Sequence, residues 1–279
     1  MLKNTFRHIP GIGAKTERDL WASGVLSWDD VAEDAFLPMS ERRAEAVRDA
    51  IYESIDQLAD DNARYFQDAL APREHWRMFP EFRHTVAYLD IETTGLSASR
   101  HYITTIALYD GLNIYHYVHD ENLTEFAGDI SRYRLIVTYN GKTFDLPFIR
   151  EYLGVAMDQG HIDLRYVLAS LGYTGGLKRC EQRLGLDRNE MSGVDGYFAV
   201  LLWHDYYNTG NRRALDTLLA YNMLDVVNLA TLAAMAYNMK IESTPFARTH
   251  RLTVPAPPEL PFKPDVETIR RIKREHGWC

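Results

Sequence analysis

The stretch HTVAYLDIETTGL, residues 84–96, joins an apolar run to two carboxylates. Residues 84–91 are rich in β-branched and aromatic side chains, which predicts a buried strand. Asp90 and Glu92 are two positions apart, and alternate residues of a strand point to the same side. Carboxylates are rarely buried without partners, and a hard divalent cation neutralises them well. The stretch therefore predicts a strand that ends in a metal site.

Two later segments carry carboxylates in comparable positions. Asp145 follows the apolar strand-like run RLIVTY at 134–139 and stands at the N-cap of a predicted helix. Tyr221 and Asp225 are four positions apart in the long apolar helix predicted for 212–238, so they share one helix face. An aspartate on such a packed helix needs a partner.

Each of these residues also has an ordinary structural explanation. Asp145 is compatible with a helix cap alone, and Tyr221 with a core tyrosine whose hydroxyl reaches the surface. Asp225 is compatible with a surface position or a buried salt bridge, and Glu92 with a surface strand position. The ordered set of three segments, rather than any one residue, favours a shared site.

The middle of the chain alternates strand-like and helix-like patterns. Asp110-Gly111 is a strong hairpin signal between two strand-like runs. The predicted strands are 84–91, 103–109, 113–119 and 134–139. The predicted helices are 123–130, 145–153, 163–171, 177–184, 195–207 and 212–238. A hairpin followed by such units predicts an α/β fold, with helices packed on a mixed sheet.

The chain divides into three regions that differ in composition and predicted secondary structure. Residues 1–75 form a small helical region that contains a glycine-rich turn, and residues 84–240 form the α/β domain. Residues 241–279 begin with a proline-rich segment and end in a predicted basic helix. We therefore expect one principal domain with two attachments.

The three carboxylate segments resemble the three exonuclease motifs of the DEDD superfamily. They are D-I-E-T-T-G-L from Asp90, N-G-K-T-F-D ending at Asp145, and Y-N-M-L-D ending at Asp225. The tyrosine four residues before the last aspartate resembles the DEDDy subclass, and the short domain resembles YprB-like proteins. The resemblance covers about residues 84–240. It implies a ribonuclease H-like fold with a mixed five-stranded sheet flanked by helices.

The resemblance also implies roles for individual residues. Asp90, Glu92 and Asp225 would bind a first divalent cation, Mg²⁺ or Mn²⁺. Asp90 would bridge to a second cation, where Asp145 would act directly or through water. Tyr221 would orient the attacking water. Two cations about 4 Å apart can stabilise both the attacking and the leaving oxygen of a phosphoryl displacement.

Contacts to nucleic acid are implied around the first two motifs. The backbone near Thr93 and Thr94 and the Leu96 side chain would hold the terminal nucleotide, and other residues would line the cleft beside it. These other residues are Gly95, Asn140, Lys142 and Phe144. Asp163 begins the helix after the second motif. It is an N-cap, a residue that supports the site or a residue that faces the substrate, and the N-cap is favoured.

The N-terminal turn P-G-I-G-A-K-T at 10–16 resembles a helix–hairpin–helix motif. Backbone N–H groups around Gly11 and Gly13, with the charge of Lys15, would contact a nucleic-acid phosphate. The alternative is a turn that uses glycine only for its positive φ, and we favour the phosphate contact. The spacing does not fit a Walker A loop.

Bulk composition restricts the function further. The formal net charge is −8, so any polyanion must be bound through local basic patches and metal rather than through overall charge. The two cysteines show no zinc spacing or disulfide framework. No signal peptide and no run of about 20 apolar residues is apparent, so we expect a cytoplasmic protein without a membrane partner.

Three functions are compatible with these observations. The first is a 3′–5′ exonuclease that acts on a single-stranded DNA or RNA end. The second is a catalytically inactive nucleic-acid-binding or scaffold protein with the same fold. The third is a haloacid dehalogenase-like phosphatase, although Glu92 departs from the D-x-D-x-T pattern of that class. Basic clusters such as Lys178-Arg179 are candidate substrate contacts, but a solvated helix face explains each one singly.

Overall fold

The computed structural model describes residues 1–188, 191 and 194–277, and a five-stranded mixed sheet lies at its centre. The strands are β1 (Val86–Thr93), β2 (Ile103–Tyr109), β3 (Ile114–Val118), β4 (Leu135–Thr138) and β5 (Gly160–Asp163). Their order is β3-β2-β1-β4-β5. The β1–β2 and β2–β3 pairs are antiparallel, and the β1–β4 and β4–β5 pairs are parallel. The expected mixed five-stranded α/β fold is confirmed.

Helices flank the sheet on both faces. In the described residues they are α1 (Ala14–Ala22), α2 (Trp28–Ala32), α3 (Glu41–Ala59), α4 (Ala63–Ala69), α5 (Phe79–Phe82), α6 (Phe126–Ile130), α7 (Asp145–Leu153), α8 (Leu164–Ala169), α9 (Leu177–Arg183), α10 (Gly196–Thr209), α11 (Arg212–Ile241) and α12 (Val266–Glu275). The predicted helices of the central region are present, and that at 163–171 begins after β5. The sequence does not predict strand β5, because GHID is short and starts with glycine.

The N-terminal region shares its core with the sheet. Trp28 and Phe66 belong to the same buried cluster as Val86 and Tyr88 of β1, and this cluster continues into α11. The rings of Trp28 and Phe66 stack with 5.8 Å between centroids. The first 75 residues are therefore packed on the central domain through a continuous hydrophobic core.

Strand β5 lies at one edge of the sheet, and α4 packs against it. A Cβ on Gly160 would come within 2.6 Å of the Ala63 Cβ and 2.8 Å of the Ala63 carbonyl carbon. Glycine at this position is what lets helix and strand approach so closely.

Helix α11 crosses the sheet and is its main cover on one face. It is long and apolar enough to span a membrane, so the prediction that no such stretch exists was wrong. In its most apolar window, 89% of the residues are buried inside the protein. A core helix of a folded domain meets the same criteria of length and composition, and burial against the sheet accounts for the apolar surface here.

The glycine-rich turn differs in part from the expected helix–hairpin–helix. Gly11 has a φ of +82°, Gly13 is the N-cap residue of α1, and the Arg43 side chain donates to the Gly11 carbonyl at 2.6 Å. Within residues 1–13, all of which are described, only a short 3₁₀ turn at Leu2–Asn4 precedes it. The turn thus leads into a helix but does not join two α-helices.

The C-terminal segment returns to the domain as an amphipathic helix. Residues 251–260 have no regular secondary structure, and α12 follows with Asp265 as its N-cap. Ile269 and Ile272 of α12 are buried in a cluster with Trp203 of α10. Of the two cysteines, Cys180 is a buried free thiol, and Cys279 lies outside the described residues.

Candidate metal centre

Asp90 and Glu92 lie near the C-terminal end of the central strand. They occupy alternate positions of β1, on the same face as Tyr88, which packs towards α11. The register between β1 and β2 shifts between Glu92 and Thr93, so the pairing is irregular just beyond the second carboxylate. Both side chains are thus aimed at the helix that covers this face.

Asp225 of α11 completes a group of three carboxylates. One oxygen from each of Asp90, Glu92 and Asp225 lies within 4.8 Å of the others. Residues far apart in the sequence therefore meet because α11 packs across β1 and β2. Oxygen ligands at this spacing suit a hard divalent cation such as Mg²⁺ or Mn²⁺.

Asp145 lies beside this group rather than within it. It is the first residue of α7, not the N-cap residue, and is 4% exposed. Its Oδ1 accepts a hydrogen bond from the Ile91 backbone N–H at 3.2 Å. This bond fixes the carboxylate next to the strand between Asp90 and Glu92. The structure therefore brings three of the four predicted ligands together and places the fourth alongside.

Burial and neighbouring negative charge raise the pKa values of all four carboxylates. Burial raises the pKa of Asp90 and Glu92 well above the ordinary range, and repulsion from Asp225 adds to it. Burial raises the pKa of Asp145 to about 7. The pKa of Asp225 is also raised by burial, although the Arg188 guanidinium opposes this. Such a group is costly when ionised and gains from a bound cation.

Tyr221 lies one helical turn before Asp225 and is buried. Burial, with repulsion from Asp225 and Glu92, raises its pKa well above the ordinary value, so the hydroxyl stays protonated near neutral pH. The Lys178 ammonium lies 4.6 Å from the centroid of the Tyr221 ring. Burial lowers the pKa of Lys178, against the attraction of Asp225. The sequence alone groups this lysine only with surface basic clusters.

Arg188 is a buried cation that sequence reasoning missed. Its guanidinium forms an ion pair with Asp225 and also bonds both oxygens of Glu181, at 2.5 and 3.0 Å. Glu181 is fully buried and accepts another hydrogen bond from Asn228 at 2.9 Å. The sequence offered no signal for this pair, because each residue alone is typical of a helix surface or a loop.

Asn222 orients the first carboxylate. Its Nδ2 donates to Asp90 Oδ2 at 2.7 Å, and its Oδ1 accepts from the Thr105 hydroxyl at 3.0 Å. A buried amide on an apolar helix must find hydrogen-bond partners. The position of Asn222 between Tyr221 and Asp225 could therefore have predicted that it contacts the carboxylate site.

The residues after β1 form a turn at the entrance of the site. The Thr93 hydroxyl donates to the Gly95 carbonyl at 2.7 Å, and the Thr94 N–H donates to the Tyr102 carbonyl at 3.0 Å. A Cβ on Gly95 would come within 2.6 Å of the His101 ring, so a side chain there would clash. Leu96 is 87% exposed, so its side chain is accessible to a ligand.

Asp163 holds the loop before Asp145 in place through hydrogen bonds to its backbone. Asp163 accepts hydrogen bonds from the backbone N–H groups of Asn140 and Lys142, at 2.7 and 3.1 Å. It also caps α8 by accepting from Arg165 at 3.0 Å, so the predicted N-cap is confirmed. Phe144 is half-buried against Phe148. Asp163 thus braces the loop as well as capping a helix.

The N-terminal turn is separate from the carboxylate group. Gly11, Gly13 and Lys15 are exposed at the start of α1, and a Cβ on either glycine would meet open space. Ala14, the residue after Gly13, lines a cavity with Lys240, which lies about 22 Å along α11 from the carboxylate on that helix. The structure therefore does not bring the two predicted contact regions together.

The chain is similar to a solved structure and to one sequence family. No curated protein matches the chain. A solved family B DNA polymerase from the archaeon Pyrobaculum calidifontis is similar, with 19% identity and a TM-score of 0.41. The similarity covers 56% of this chain and 24% of the polymerase, so the chain spans only a small part of that protein. The sequence model RNase_H_2, described as RNase_H superfamily, matches residues 87–237, which is more than half of the chain. The chain therefore belongs to the RNase_H superfamily.

Proposed function

We propose that this protein is a metal-dependent nuclease that hydrolyses phosphodiester bonds at a single-stranded DNA or RNA end in the 3′–5′ direction. The observation that carries the proposal is that carboxylate oxygens of Asp90, Glu92 and Asp225 lie within 4.8 Å of one another, between β1 and α11, in a chain of the RNase_H superfamily. Asp145 lies next to these three residues. Superfamily membership also argues against the phosphatase alternative.

The residues of the chain have separable tasks in this reaction. Bound divalent cations would activate a water and stabilise charge on the transferring phosphoryl group. Asp90, Glu92 and Asp225 would hold the first cation, and Asp90 and Asp145 the second. Asn222 keeps Asp90 in position.

Tyr221 and the entrance turn would handle the reactants. Because burial keeps the Tyr221 hydroxyl protonated, it would donate or accept a hydrogen bond that orients the attacking water. Around the cleft, the exposed Leu96 side chain and the braced loop at Asn140 and Lys142 would hold the terminal nucleotide. Lys178, near Tyr221, would add positive charge opposite the scissile phosphate.

A cleavage assay tests the proposal. Single-stranded DNA and RNA oligonucleotides labelled at the 5′ end are incubated with Mn²⁺, Mg²⁺ or EDTA. A metal-dependent ladder that shortens from the 3′ end would support the proposal, and the preferred sugar would emerge from the same gel. Absence of cleavage with either metal, in protein shown to be folded, would contradict it.

A second candidate function rests on Arg188. Its ion pair with Asp225 places a protein cation on one of the three carboxylates that a metal would use. A permanent pair would leave a binding or scaffold protein without catalysis. Calorimetric titration with Mn²⁺ separates the candidates, since the nuclease must bind the metal and lose binding in Asp225→Asn. The inactive protein would bind strands without binding Mn²⁺.

A further inference from the structure

A small cavity lies far from the carboxylates of the metal centre, between the N-terminal region and the C-terminal end of α11. It has a volume of about 140 Å³ and is bounded by α1, the segment at 74–77 and the last turn of α11. Six of its lining residues are charged, and we call these the cationic pocket: Arg7, Arg18, Arg77, Lys240, Glu17 and Glu74. Four cationic side chains thus face two carboxylates.

The two carboxylates are already neutralised within the protein. Glu17 forms an ion pair with Arg77 at 3.0 Å and accepts from the Thr5 hydroxyl at 2.6 Å. Glu74 pairs with Arg77 at 2.9 Å and with Arg7 at 3.6 Å. The charge of Lys240 and Arg18 therefore remains as an excess in the pocket, at half-buried and exposed positions respectively.

The wall also contains buried donors without partners. Arg77 is 4% exposed, and its Nη1 has no hydrogen-bond partner in the described part of the chain. The same holds for Nε1 of Trp76, which also lines the cavity. Buried donors are nearly always satisfied in folded proteins, so two unsatisfied donors on residues that line one cavity favour an acceptor as its ligand.

The local backbone favours an anion as well. Ala14, the first residue of the nine-residue helix α1, lines the cavity, so the positive end of the helix dipole lies there. At the other wall, the Thr244 and Ser243 hydroxyls donate to carbonyls at the end of α11, at 2.7 and 3.1 Å. These hydroxyls offset the partial negative charge of that helix end.

The size of the pocket restricts the ligand. A volume of 140 Å³ corresponds to roughly four or five water molecules, and is well below the roughly 300–1,000 Å³ of pockets for larger organic ligands. A tetrahedral oxyanion fits, whereas a base and sugar do not. Lys240 and Asp225 are 15 positions apart on α11, which separates the pocket from the metal centre by about 22 Å along the helix.

From the cavity, the excess cations and the unsatisfied donors, we propose that the cationic pocket binds a phosphate group. Lys240 and Arg18 supply the charge, and Arg77 and Trp76 form the buried floor. The phosphate is either free inorganic phosphate or a backbone phosphate of a strand whose sugar and base remain outside. The proposal does not depend on nuclease activity, because the pocket shares no residue with the carboxylate group.

Calorimetric titration with inorganic phosphate tests this site. The full chain is used in EDTA, at ionic strength held constant with NaCl, so that the metal centre contributes no binding. We expect one site in the wild type and a Kd raised at least about tenfold in Lys240→Gln/Arg18→Gln, because each change removes a charge-assisted contact. Neither residue is fully buried, and thermal unfolding checks that the variant is folded.

A matched control removes the same charge elsewhere. Lys263→Gln/Arg248→Gln changes two exposed side chains outside the pocket and should bind phosphate like the wild type. A second titration with an unlabelled oligothymidylate identifies the source of the phosphate. Weaker strand binding in the pocket variant alone indicates a backbone phosphate, and unchanged strand binding indicates the free ion. No phosphate binding by the wild type, or equal binding by both variants, overturns the proposal.

Discussion

The middle and the C-terminal end of α11 carry opposite electrostatic problems. Near Asp225, three carboxylates converge on one side of the sheet, and burial together with mutual repulsion raises their pKa values. Near Lys240, cationic side chains outnumber the carboxylates and buried donors lack acceptors. Charge gathered in a partly buried site costs free energy unless a counterion is bound. The difference shows that one helix can connect a cation site and an anion site. Each site is identified by charge that the protein itself does not neutralise.

The strongest test of the comparison removes one carboxylate. Asp90→Asn should lower the cleavage rate by about a thousandfold or more, because metal binding and phosphoryl stabilisation are both lost. Phosphate binding at the cationic pocket, measured by calorimetry in EDTA, should not change. A variant that cleaves like the wild type would remove Asp90 from the chemistry, and altered phosphate binding would show that the two sites are coupled.

The buried cation beside the carboxylates gives the next largest effect. Arg188→Gln leaves Glu181 and Asp225 buried without their guanidinium, so the free energy of unfolding in EDTA should fall by about 3–5 kcal/mol. Saturating Mn²⁺ should restore part of this loss by binding the folded state. Urea unfolding curves measure both changes.

A surface ion pair provides the control for Arg188. Arg212 pairs with Glu121 at 2.7 Å, but both side chains are largely exposed, so Arg212→Gln should cost only about 0–1 kcal/mol. Equal losses of unfolding free energy in the two arginine variants would mean that the buried pair has no special role beside the carboxylates.

The pH dependence of stability sharpens the contrast further. The pKa of Asp145 is raised from 3.8 to about 7, so its protonated form is favoured by folding. This contribution is complete below pH 3.8 and is lost as the pH rises through about 7. In EDTA the free energy of unfolding should therefore fall over this range. Asp145→Asn should flatten the dependence in urea titrations, and a slope identical to that of the wild type would contradict the assignment.

Among the variants of the metal centre, the smallest effect is expected for the tyrosine next to it. Tyr221→Phe should lower the cleavage rate by about tenfold to a hundredfold, the value of one hydrogen bond to a charged group, and leave Mn²⁺ affinity nearly unchanged. Tyr237→Phe is the matched control, because Tyr237 is buried on the same helix and its hydroxyl has no partner in the described residues. If both variants keep the full rate, Tyr221 is a core residue only.

The same contrast explains what the sequence could predict. Asp90, Glu92 and Asp225 stand in short segments whose spacing indicates one face of a strand or helix, so their convergence followed from local geometry and the resemblance. The cationic pocket is assembled from Arg7, Arg18, Arg77 and Lys240, which no spacing connects. Only the packing of the residues before α1, α1 itself, the segment at 72–78 and α11 brings them together.

The sequence also did not predict the partners of the acidic residues. The ion pair between Arg188 and Glu181 depends on a loop returning to α9 beneath Asp225, and a single sequence contains no period that reports such a contact. By contrast, the amide of Asn222 within an apolar helix could have been identified, because a buried amide needs partners. Strand β5 was not predicted because, with four residues, it is too short to show a recognisable strand pattern.

The packing of α4 on β5 has a practical consequence for protein production. A fragment that starts at residue 84 would keep every proposed metal ligand, yet it would lose Ala63 and the helix that lies over Gly160. The face of β5 that α4 covers would be exposed to solvent, and exposed apolar surface promotes aggregation. The smallest fragment expected to remain monodisperse therefore begins before α4. The helices that precede the sheet in the sequence protect it from aggregation.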